Sequence, residues 1–234
     1  MVKKMTNKKE SYAPKLTGTL PVLLFLLTEL VLYLLILFTG GKIAVFSSFG
    51  AIVLCLVYGL LHLPHSSQLL LGGLAMTVAA DFCLVICDPR QQLWGMVFFL
   101  AAQIFYAARL HAEKPAPRLL FLRLGLTLGA VILCVLVLGK NTDGLALISL
   151  CYYANLVMNL AAAFSTGKKY RLLAIGFVLF LLCDTIIGLQ EGAKGYLYIA
   201  QDTWLDKLLF MDFNLPWVFY LPSQVCIALS SRRK

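Results

Sequence analysis

Apolar runs of about twenty residues recur along almost the whole of this 234-residue chain. A helix needs about 20 apolar residues to cross the hydrocarbon core of a bilayer, so each run is long enough to span a membrane. Hydrophobic residues make up 61% of the sequence and charged residues 13%, against about 45–50% and 25% in soluble domains. The predicted fold class is therefore all-α, a polytopic bundle of transmembrane helices. A soluble globular enzyme, a disordered chain and a nucleic-acid module are excluded.

Turn residues and charges divide the apolar runs into eight predicted spans. The spans cover roughly residues 20–39, 43–61, 68–87, 92–110, 119–138, 144–164, 171–189 and 215–230. Residues 1–16 are polar and rich in lysine, which predicts a cytoplasmic basic tail rather than a signal peptide. Residues 17–234 are then expected to form a single eight-span transmembrane domain.

Positive charges are distributed unevenly between the two ends of the spans. With the N-terminus inside, 14 of the 20 Lys and Arg residues fall on the inner side and five on the outer side, while Arg123 lies within the fifth span. Positive residues favour the cytoplasmic side, so both termini are predicted to be cytoplasmic. We expect a multi-pass protein of a bacterial plasma membrane, whose net charge of +9 reflects topology and contact with membrane lipids.

The longest loop, residues 191–213, lies on the predicted outer side and mixes aromatic with charged residues. Its last part is predicted to form an amphipathic helix in the interface. Two interpretations stay open. The loop is either a connector anchored by its aromatic residues or a lid over a site that opens to that side.

Three acidic residues fall inside predicted spans, where an ionisable group costs about 2.5–3.5 kcal/mol. Asp81 lies six residues before the outer end of span three, and Asp184 lies five residues before the outer end of span seven. Both spans run outward, so the two carboxyl groups are predicted to lie at nearly the same depth. Glu29, near the middle of span one, has no such counterpart and is either the edge of a site or a packing residue.

Polar residues of other spans are predicted to lie near this depth. They are Gln103 and Tyr106 in span four, Tyr152, Asn155 and Asn159 in span six, and Tyr220 and Gln224 in span eight. Taken singly, such residues often hydrogen-bond neighbouring helices. Together with the two aspartates they predict a polar cavity beneath the outer loop.

A short internal repeat relates the two halves of the chain. Gly73 and Gly176 each stand eight residues before the aspartate of their span. A spacing of four residues relates Phe99, Gln103 and Ala107 in span four, and equally Tyr220, Gln224 and Ala228 in span eight. The pattern predicts two parallel four-helix repeats, with the aspartates as pseudo-symmetric partners.

Few residues suit other catalytic chemistries. The three histidines, at positions 62, 65 and 111, fall at predicted cytoplasmic ends, so no metal site is predicted near the aspartates. All seven cysteines lie in apolar runs and are predicted to be packing residues. The sequence contains no Gly-x-Ser-x-Gly motif and no glycine-rich phosphate loop, and we expect no cofactor.

Four segments resemble the YhhN family of eight-span membrane proteins. They are LAMTVAADFCL (74–84), FLAAQIFY (99–106), GFVLFLLCDTIIGL (176–189) and FYLPSQVCIALS (219–230). The characterised animal members of this family are lysoplasmalogenases, so the resemblance implies hydrolysis of the vinyl ether bond of lysoplasmalogens. It also implies that the family's two aspartates correspond to Asp81 and Asp184, which become the candidate catalytic residues.

The sequence departs from the family pattern beside these aspartates. Thr77 and Ala80 stand at the family's Ser and Gly positions. Cys183 replaces a Ser, and Gln103 stands where many members have His. The aspartate pair itself is intact.

Two carboxyl groups suit vinyl ether hydrolysis. A protonated aspartate can act as general acid on the β-carbon, and an ionised one can stabilise the oxocarbenium ion and activate water, as carboxyl pairs do in glycoside hydrolysis. The expected substrate is a lysophospholipid, lysoplasmenylethanolamine or lysoplasmenylcholine. The candidate substrate-binding or supporting residues are Gln103, Tyr106, Tyr152, Asn155, Tyr220, Gln224 and Glu29.

Other classes of membrane protein also use intramembrane carboxyl groups. A proton-coupled transporter or a lipid-binding membrane protein would use Asp81 and Asp184 as a relay or a polar site. An aspartyl intramembrane protease is disfavoured, because Ala80 and Cys183 precede the aspartates in place of its hallmark Tyr-Asp and Gly-x-Gly-Asp sequences. The sequence leaves the oligomeric state open.

Overall fold

The computed structural model describes residues 19–62, 68–193, 199–211 and 213–231. All regular secondary structure in these residues is helical, as the sequence predicts. The predicted basic tail, His65 and residues 232–234 lie outside the described residues.

The described chain forms a series of helices that follows the predicted spans closely. They are α1 (Thr19–Phe38), α2 (Gly41–Leu61), α3 (Gln68–Asp81), α4 (Gln92–Glu113), α5 (Pro117–Leu138), α6 (Gly144–Thr166), α7 (Arg171–Ala193), α8 (Trp204–Leu209) and α9 (Leu215–Leu229). A π-helical turn, Phe82–Ile86, continues α3. Helix α7 ends four residues after the predicted end of its span at residue 189 and includes the polar residues Gln190 and Glu191.

Seven of the described helices, α1 to α7, are long and apolar enough to cross a membrane. This confirms a multi-pass, all-helical membrane protein. The predicted eighth span corresponds to α9, an apolar helix of 15 residues, which is shorter than the roughly 20 residues that a full crossing requires. The count of eight spans therefore stays a prediction.

Local sequence explains where several of the helices begin. Pro117 occupies the first turn of α5, where its missing N–H costs no helical hydrogen bond. The Asp143 side chain caps α6 by accepting a hydrogen bond of 2.7 Å from the Ala146 N–H. Gly167, between α6 and α7, has a φ of +108°, a backbone conformation that favours glycine.

Six helices form a closed ring, in the order α2, α3, α4, α6, α7 and α9, each packed against the next and α9 packed against α2. Helix α1 lies outside the ring against α2 and α9, and α5 lies outside it against α6. Cys134 is the one buried residue of α5. Apart from Glu29 on α1, the buried polar side chains of the described helices lie on the six helices of the ring.

Two glycines allow close packing inside the ring. A Cβ atom at Gly73 on α3 would lie 2.1 Å from a ring carbon of Tyr106 on α4. A Cβ atom at Gly176 on α7 would lie 3.0 Å from the backbone oxygen of Ser223 on α9. The α3–α4 and α7–α9 pairs therefore depend on the absence of a side chain at these two positions.

The predicted outer loop contains the short helix α8. Thr203 caps it by accepting a hydrogen bond from the Asp206 N–H, 3.3 Å away. The Gln190 side chain at the end of α7 donates a hydrogen bond of 2.6 Å to the Leu209 carbonyl. Trp204 is 75% exposed, whereas Leu209 is buried, so α8 is amphipathic and tied to α7. Tyr196, Tyr198 and Asp212 of the loop lie outside the described residues, and its function as a lid stays a prediction.

Candidate active site

Asp81 is the last residue of α3, at the point where the helix passes into the π-helical turn. Turns of this kind inside helices are frequent at functional sites. The hydroxyl group of Tyr220 on α9 donates a hydrogen bond of 2.5 Å to the Asp81 carboxyl group. Helices α3 and α9 are not neighbours in the ring, so this bond reaches across its interior. Both side chains are buried.

Asp184 on α7 forms a second pair of the same kind. The hydroxyl group of Tyr152 on α6 donates a hydrogen bond to the Asp184 carboxyl group. Tyr152 is buried, whereas Asp184 is only half-buried. The two pairs therefore share their chemistry but differ in accessibility.

The two aspartates lie at the same level of the bundle when they are counted from the starts of their helices. Asp81 follows Gln68 by thirteen residues, and Asp184 follows Arg171 by thirteen residues. Counted from the outer ends the match is poorer than predicted, because α7 continues to Ala193.

Two phenylalanines, Phe99 and Phe180, connect the tyrosine–aspartate pairs, and we call them the aromatic bridge. The Phe99 ring centroid lies 5.6 Å from that of Tyr152 and 6.3 Å from that of Tyr220. The Phe180 centroid lies 6.2 Å and 5.4 Å from the same two rings. Both members of the bridge therefore contact both tyrosines, which fixes the two pairs relative to each other.

A polar network lies next to this centre, toward the ends of the helices that are predicted to be cytoplasmic. The Arg123 guanidinium on α5 donates hydrogen bonds of 2.8 Å to Asn155 and 2.7 Å to Asn159 on α6. The Asn159 amide group in turn donates to both the backbone and the side-chain oxygen of Gln103, each 2.8 Å away. Two predicted site residues, Gln103 and Asn155, thus belong to one network that joins α4, α5 and α6.

Three further predicted residues lie apart from the aspartates. Tyr106 is fully buried, and its hydroxyl group is 3.5 Å from that of Thr77, one turn before Asp81 on α3. Gln224 is fully buried, and its side-chain amide group donates to Ser223. Glu29 on α1 is buried and accepts a hydrogen bond of 3.4 Å from the Cys55 thiol. These contacts place Glu29 at the α1–α2 interface.

Sequence reasoning missed the aromatic bridge and the partners of Arg123. Phe99 and Phe180 are ordinary apolar residues of membrane spans, so their composition carries no chemical information. Arg123 was recognisable as a basic residue within a span, and Asn155 and Asn159 share a helix face four residues apart. Nothing in a single sequence indicates that these three side chains meet.

The arrangement provides two carboxyl groups, each with one oxygen bound by a tyrosine hydroxyl group. Within the described part of the chain, no other residue donates a hydrogen bond to either carboxyl group. The remaining oxygens are thus available for a reacting molecule. Such a site can donate a proton, accept one, and stabilise a positive charge that develops between its members.

Comparison with known proteins gives one match. The model of the YhhN family matches residues 43–231, which run from α2 to the end of α9 and include all the predicted site residues except Glu29. No curated protein matches the chain, and no solved structure matches it.

Proposed function

The chain belongs to the YhhN family, and from that premise we propose that it hydrolyses the vinyl ether bond of lysoplasmalogens within the membrane. The products are a fatty aldehyde and a glycerophospho compound that carries the headgroup. The observation that supports this proposal is the convergence of the pairs Asp81–Tyr220 and Asp184–Tyr152 at one level of the bundle.

The reaction begins with proton transfer. A protonated aspartate gives its proton to the β-carbon of the vinyl ether, and the electrons of the double bond form the new C–H bond. The ether oxygen shares the positive charge of the resulting oxocarbenium ion. An ionised aspartate stabilises that cation electrostatically, as carboxylates do in glycosidases. Phe99 and Phe180 contact the tyrosines of both pairs, and aromatic rings can stabilise a nearby cation.

Water completes the reaction. Its oxygen adds to the charged carbon while the ionised aspartate accepts a proton, which produces a hemiacetal. The hemiacetal C–O bond to glycerol then breaks: the newly protonated aspartate gives its proton to the glycerol oxygen, the other aspartate takes the proton of the hemiacetal hydroxyl group, and the aldehyde is released. One water molecule is consumed, and the aspartate pair returns to its starting state. The tyrosine hydroxyl groups hold one oxygen of each carboxyl group in place throughout.

We also propose that α9 is the eighth span and that the bundle consists of two parallel four-helix units. Equivalent contacts support the repeat. Gly73 packs against Tyr106, which lies seven residues after Phe99, and Gly176 packs against Ile227, which lies seven residues after Tyr220. Phe99 and Tyr220 are the positions that the sequence repeat equates. In this arrangement both termini lie in the cytoplasm.

The proposal is tested by following the proton. Purified protein in lipid nanodiscs is incubated with a lysoplasmalogen in heavy water, and the aldehyde is trapped at once. We expect one deuterium on its α-carbon, because the acid that protonates the vinyl carbon exchanges with solvent. In ¹⁸O water the aldehyde should gain the label and the glycerol oxygen should not.

Two analogues sharpen this test. A saturated alkyl ether cannot form the same cation by protonation, so it should not react. An ester analogue should react slowly, because the site provides two carboxyl groups rather than an activated nucleophile. Rapid ester cleavage, or an aldehyde without deuterium, would contradict the mechanism, and a protein that transports but releases no aldehyde would favour the transporter alternative.

A further inference from the structure

Arg123 carries a positive charge inside a helix that is long and apolar enough to cross a membrane. It lies six residues after Pro117, the first residue of α5. No carboxylate group in the described ranges of the chain forms an ion pair with it. Buried or membrane-embedded charges are expensive unless they are paired, and they often mark functional sites. Within the part of the chain that the structure describes, the guanidinium group therefore has no counter-ion.

Several N–H donors of the Arg123 guanidinium group have no acceptor among the neighbouring described residues. A guanidinium group has five N–H donors and no acceptor, and the structure uses two of them, for Asn155 and Asn159. Because arginine only donates, Asn159 must turn its oxygen toward it and its amide N–H₂ toward Gln103. Gln103 must then present its own oxygen to Asn159, so its N–H₂ group points away from that bond.

The environment of the Gln103 side chain agrees with this orientation of its amide group. Its side chain is fully buried, and its Nε2 atom has no hydrogen-bond partner among the described residues. A buried amide donor without a partner is costly. The unused N–H groups of Arg123 and Gln103 are thus donors that a ligand can satisfy. A matching ligand must be negatively charged and rich in acceptor oxygens.

The position of Arg123 relative to the two aspartates suits a phospholipid. Tyr152, Asn155 and Asn159 share a face of α6, and at 1.5 Å per residue the two asparagines lie about 4.5 and 10.5 Å along the helix from Tyr152. In a lysophospholipid, five bonds separate the phosphorus from the glycerol oxygen of the sn-1 chain, about 6–7 Å when extended. A guanidinium group that is bonded to both asparagines is therefore at a comparable distance from Tyr152 along the helix.

A lipid can also reach this side of the bundle. Helix α5 lies outside the ring, and most of its residues are exposed, with Cys134 as its one buried residue. The Arg123 side chain itself is half-buried. A molecule that enters beside α5 would meet the guanidinium group before it reaches the tyrosine–aspartate pairs.

From these observations we propose that Arg123, held by Asn155 and Asn159, binds the phosphate group of the lysophospholipid substrate. The inference rests on the proposed function for the identity of the lipid, and on the network alone for the chemistry of the ligand. Gln103, which is bonded to Asn159, supplies a further donor to the same molecule.

Binding of non-cleavable ligands tests the site without hydrolysis. The probes are a saturated 1-O-alkyl lysophosphoethanolamine and a 1-O-alkyl glycerol with the same chain, measured in detergent micelles that contain no phosphate group. The wild type should bind the phosphate-bearing probe at least about tenfold more tightly, since a hydrogen-bonded charge pair typically contributes that much. A wild type without this preference would overturn the proposal, whatever the variants do.

The variant Arg123→Gln should bind the phosphate-bearing probe and the alkyl glycerol with similar affinity. The matched control is Arg118→Gln, which removes the same charge from an exposed position on the same helix and should keep the wild-type preference. If Arg123→Gln folds poorly, Arg123→Lys, which keeps a charge but cannot bridge both asparagines, should show an intermediate preference. A stable Arg123→Gln protein with the wild-type preference would mean that Arg123 only joins α5 to α6.

Two further arms identify the source of the phosphate. A two-chain phospholipid should compete weakly with the lysophospholipid probe. If it binds in an Arg123-dependent manner without displacing that probe, the site belongs to a resident lipid and the assignment to substrate fails. If the wild type shows the phosphate preference but releases no aldehyde from lysoplasmalogen, the proposed function fails while the phosphate site stands.

Discussion

Tyr220 donates a hydrogen bond of 2.5 Å to Asp81, which precedes it by 139 positions in the chain. The tyrosine ring also packs against Trp217, with 5.1 Å between the ring centroids, and against the aromatic bridge. Its hydroxyl group and its ring thus serve different purposes, one orienting a carboxyl group and the other holding α9 in the ring.

The variant Tyr220→Phe separates these two contributions. It removes the hydrogen bond to Asp81 and keeps the aromatic packing, so the melting temperature should change little. Hydrolysis should fall about 10- to 100-fold, because hydrogen bonds to charged groups contribute roughly 1.5–3 kcal/mol. The control is Tyr153→Phe, which removes an exposed hydroxyl group that bonds to Thr185. Equal activity of the two variants would show that the Tyr220 hydroxyl group does not orient the acid.

Replacing either aspartate should abolish hydrolysis while the folded protein is retained. Asp81→Asn and Asp184→Asn preserve shape and remove acid–base function, and a positioned acid or base typically contributes about 10²- to 10⁴-fold. Asp202→Asn is a suitable control, since Asp202 is exposed with a φ of 59°, which asparagine adopts readily. Steady-state rates and size-exclusion profiles check the outcome. Near-normal turnover by one aspartate variant would make that residue structural.

Gly73→Ala should destabilise the bundle. Its Cβ atom would lie 2.1 Å from the Tyr106 ring, and overpacking of this kind typically costs about 1–3 kcal/mol. Gly129→Ala on α5 is the control, because a Cβ atom there has nothing within 4 Å. Thermal unfolding in nanodiscs should show a melting temperature lower by several degrees for the first variant only. A Gly73→Ala protein as stable as Gly129→Ala would mean that α3 and α4 are not packed as described.

Reporter fusions test the topology. Fusions at Lys114, Lys168 and Lys234 should report the cytoplasm, and one at Asp202 should report the opposite side. The fusion at Lys234 decides whether the 15 residues of α9 cross the bilayer. If Lys168 and Lys234 report opposite sides, α9 does not cross.

Hydropathy predicted the long helices well, because a bilayer demands long apolar segments whatever their packing. Polar residues outside the apolar runs were harder to assign. Helix α7 continues through Gln190 and Glu191 to Ala193, since a helix can extend beyond the lipid boundary, where hydropathy no longer indicates its end. The π-helical turn after Asp81 leaves no pattern that hydropathy detects.

The two aspartates of the candidate site could be predicted from the sequence, whereas their contacts with other side chains could not. Asp81 and Asp184 stand out because carboxyl groups are rare in membrane spans, and Tyr152 and Tyr220 were among the polar residues near their depth. Which of these polar residues contacts an aspartate depends on packing between helices that are distant in sequence. Tyr106 packs against Gly73 rather than reaching an aspartate, and only the folded bundle distinguishes a packing hydroxyl group from a catalytic one.

Because α9 closes the ring of helices and is the last of the described helices to be synthesised, the tyrosine–aspartate centre forms late in translation. The ribosome delivers Asp81 to the membrane 139 residues before Tyr220, a delay of roughly 7–28 s at 5–20 residues per second. Throughout that interval the carboxyl group of Asp81 lacks its tyrosine partner, and the ring of helices around it is open. The tyrosine–aspartate centre is therefore completed only when the last helix is made, and an unfinished chain cannot contain it.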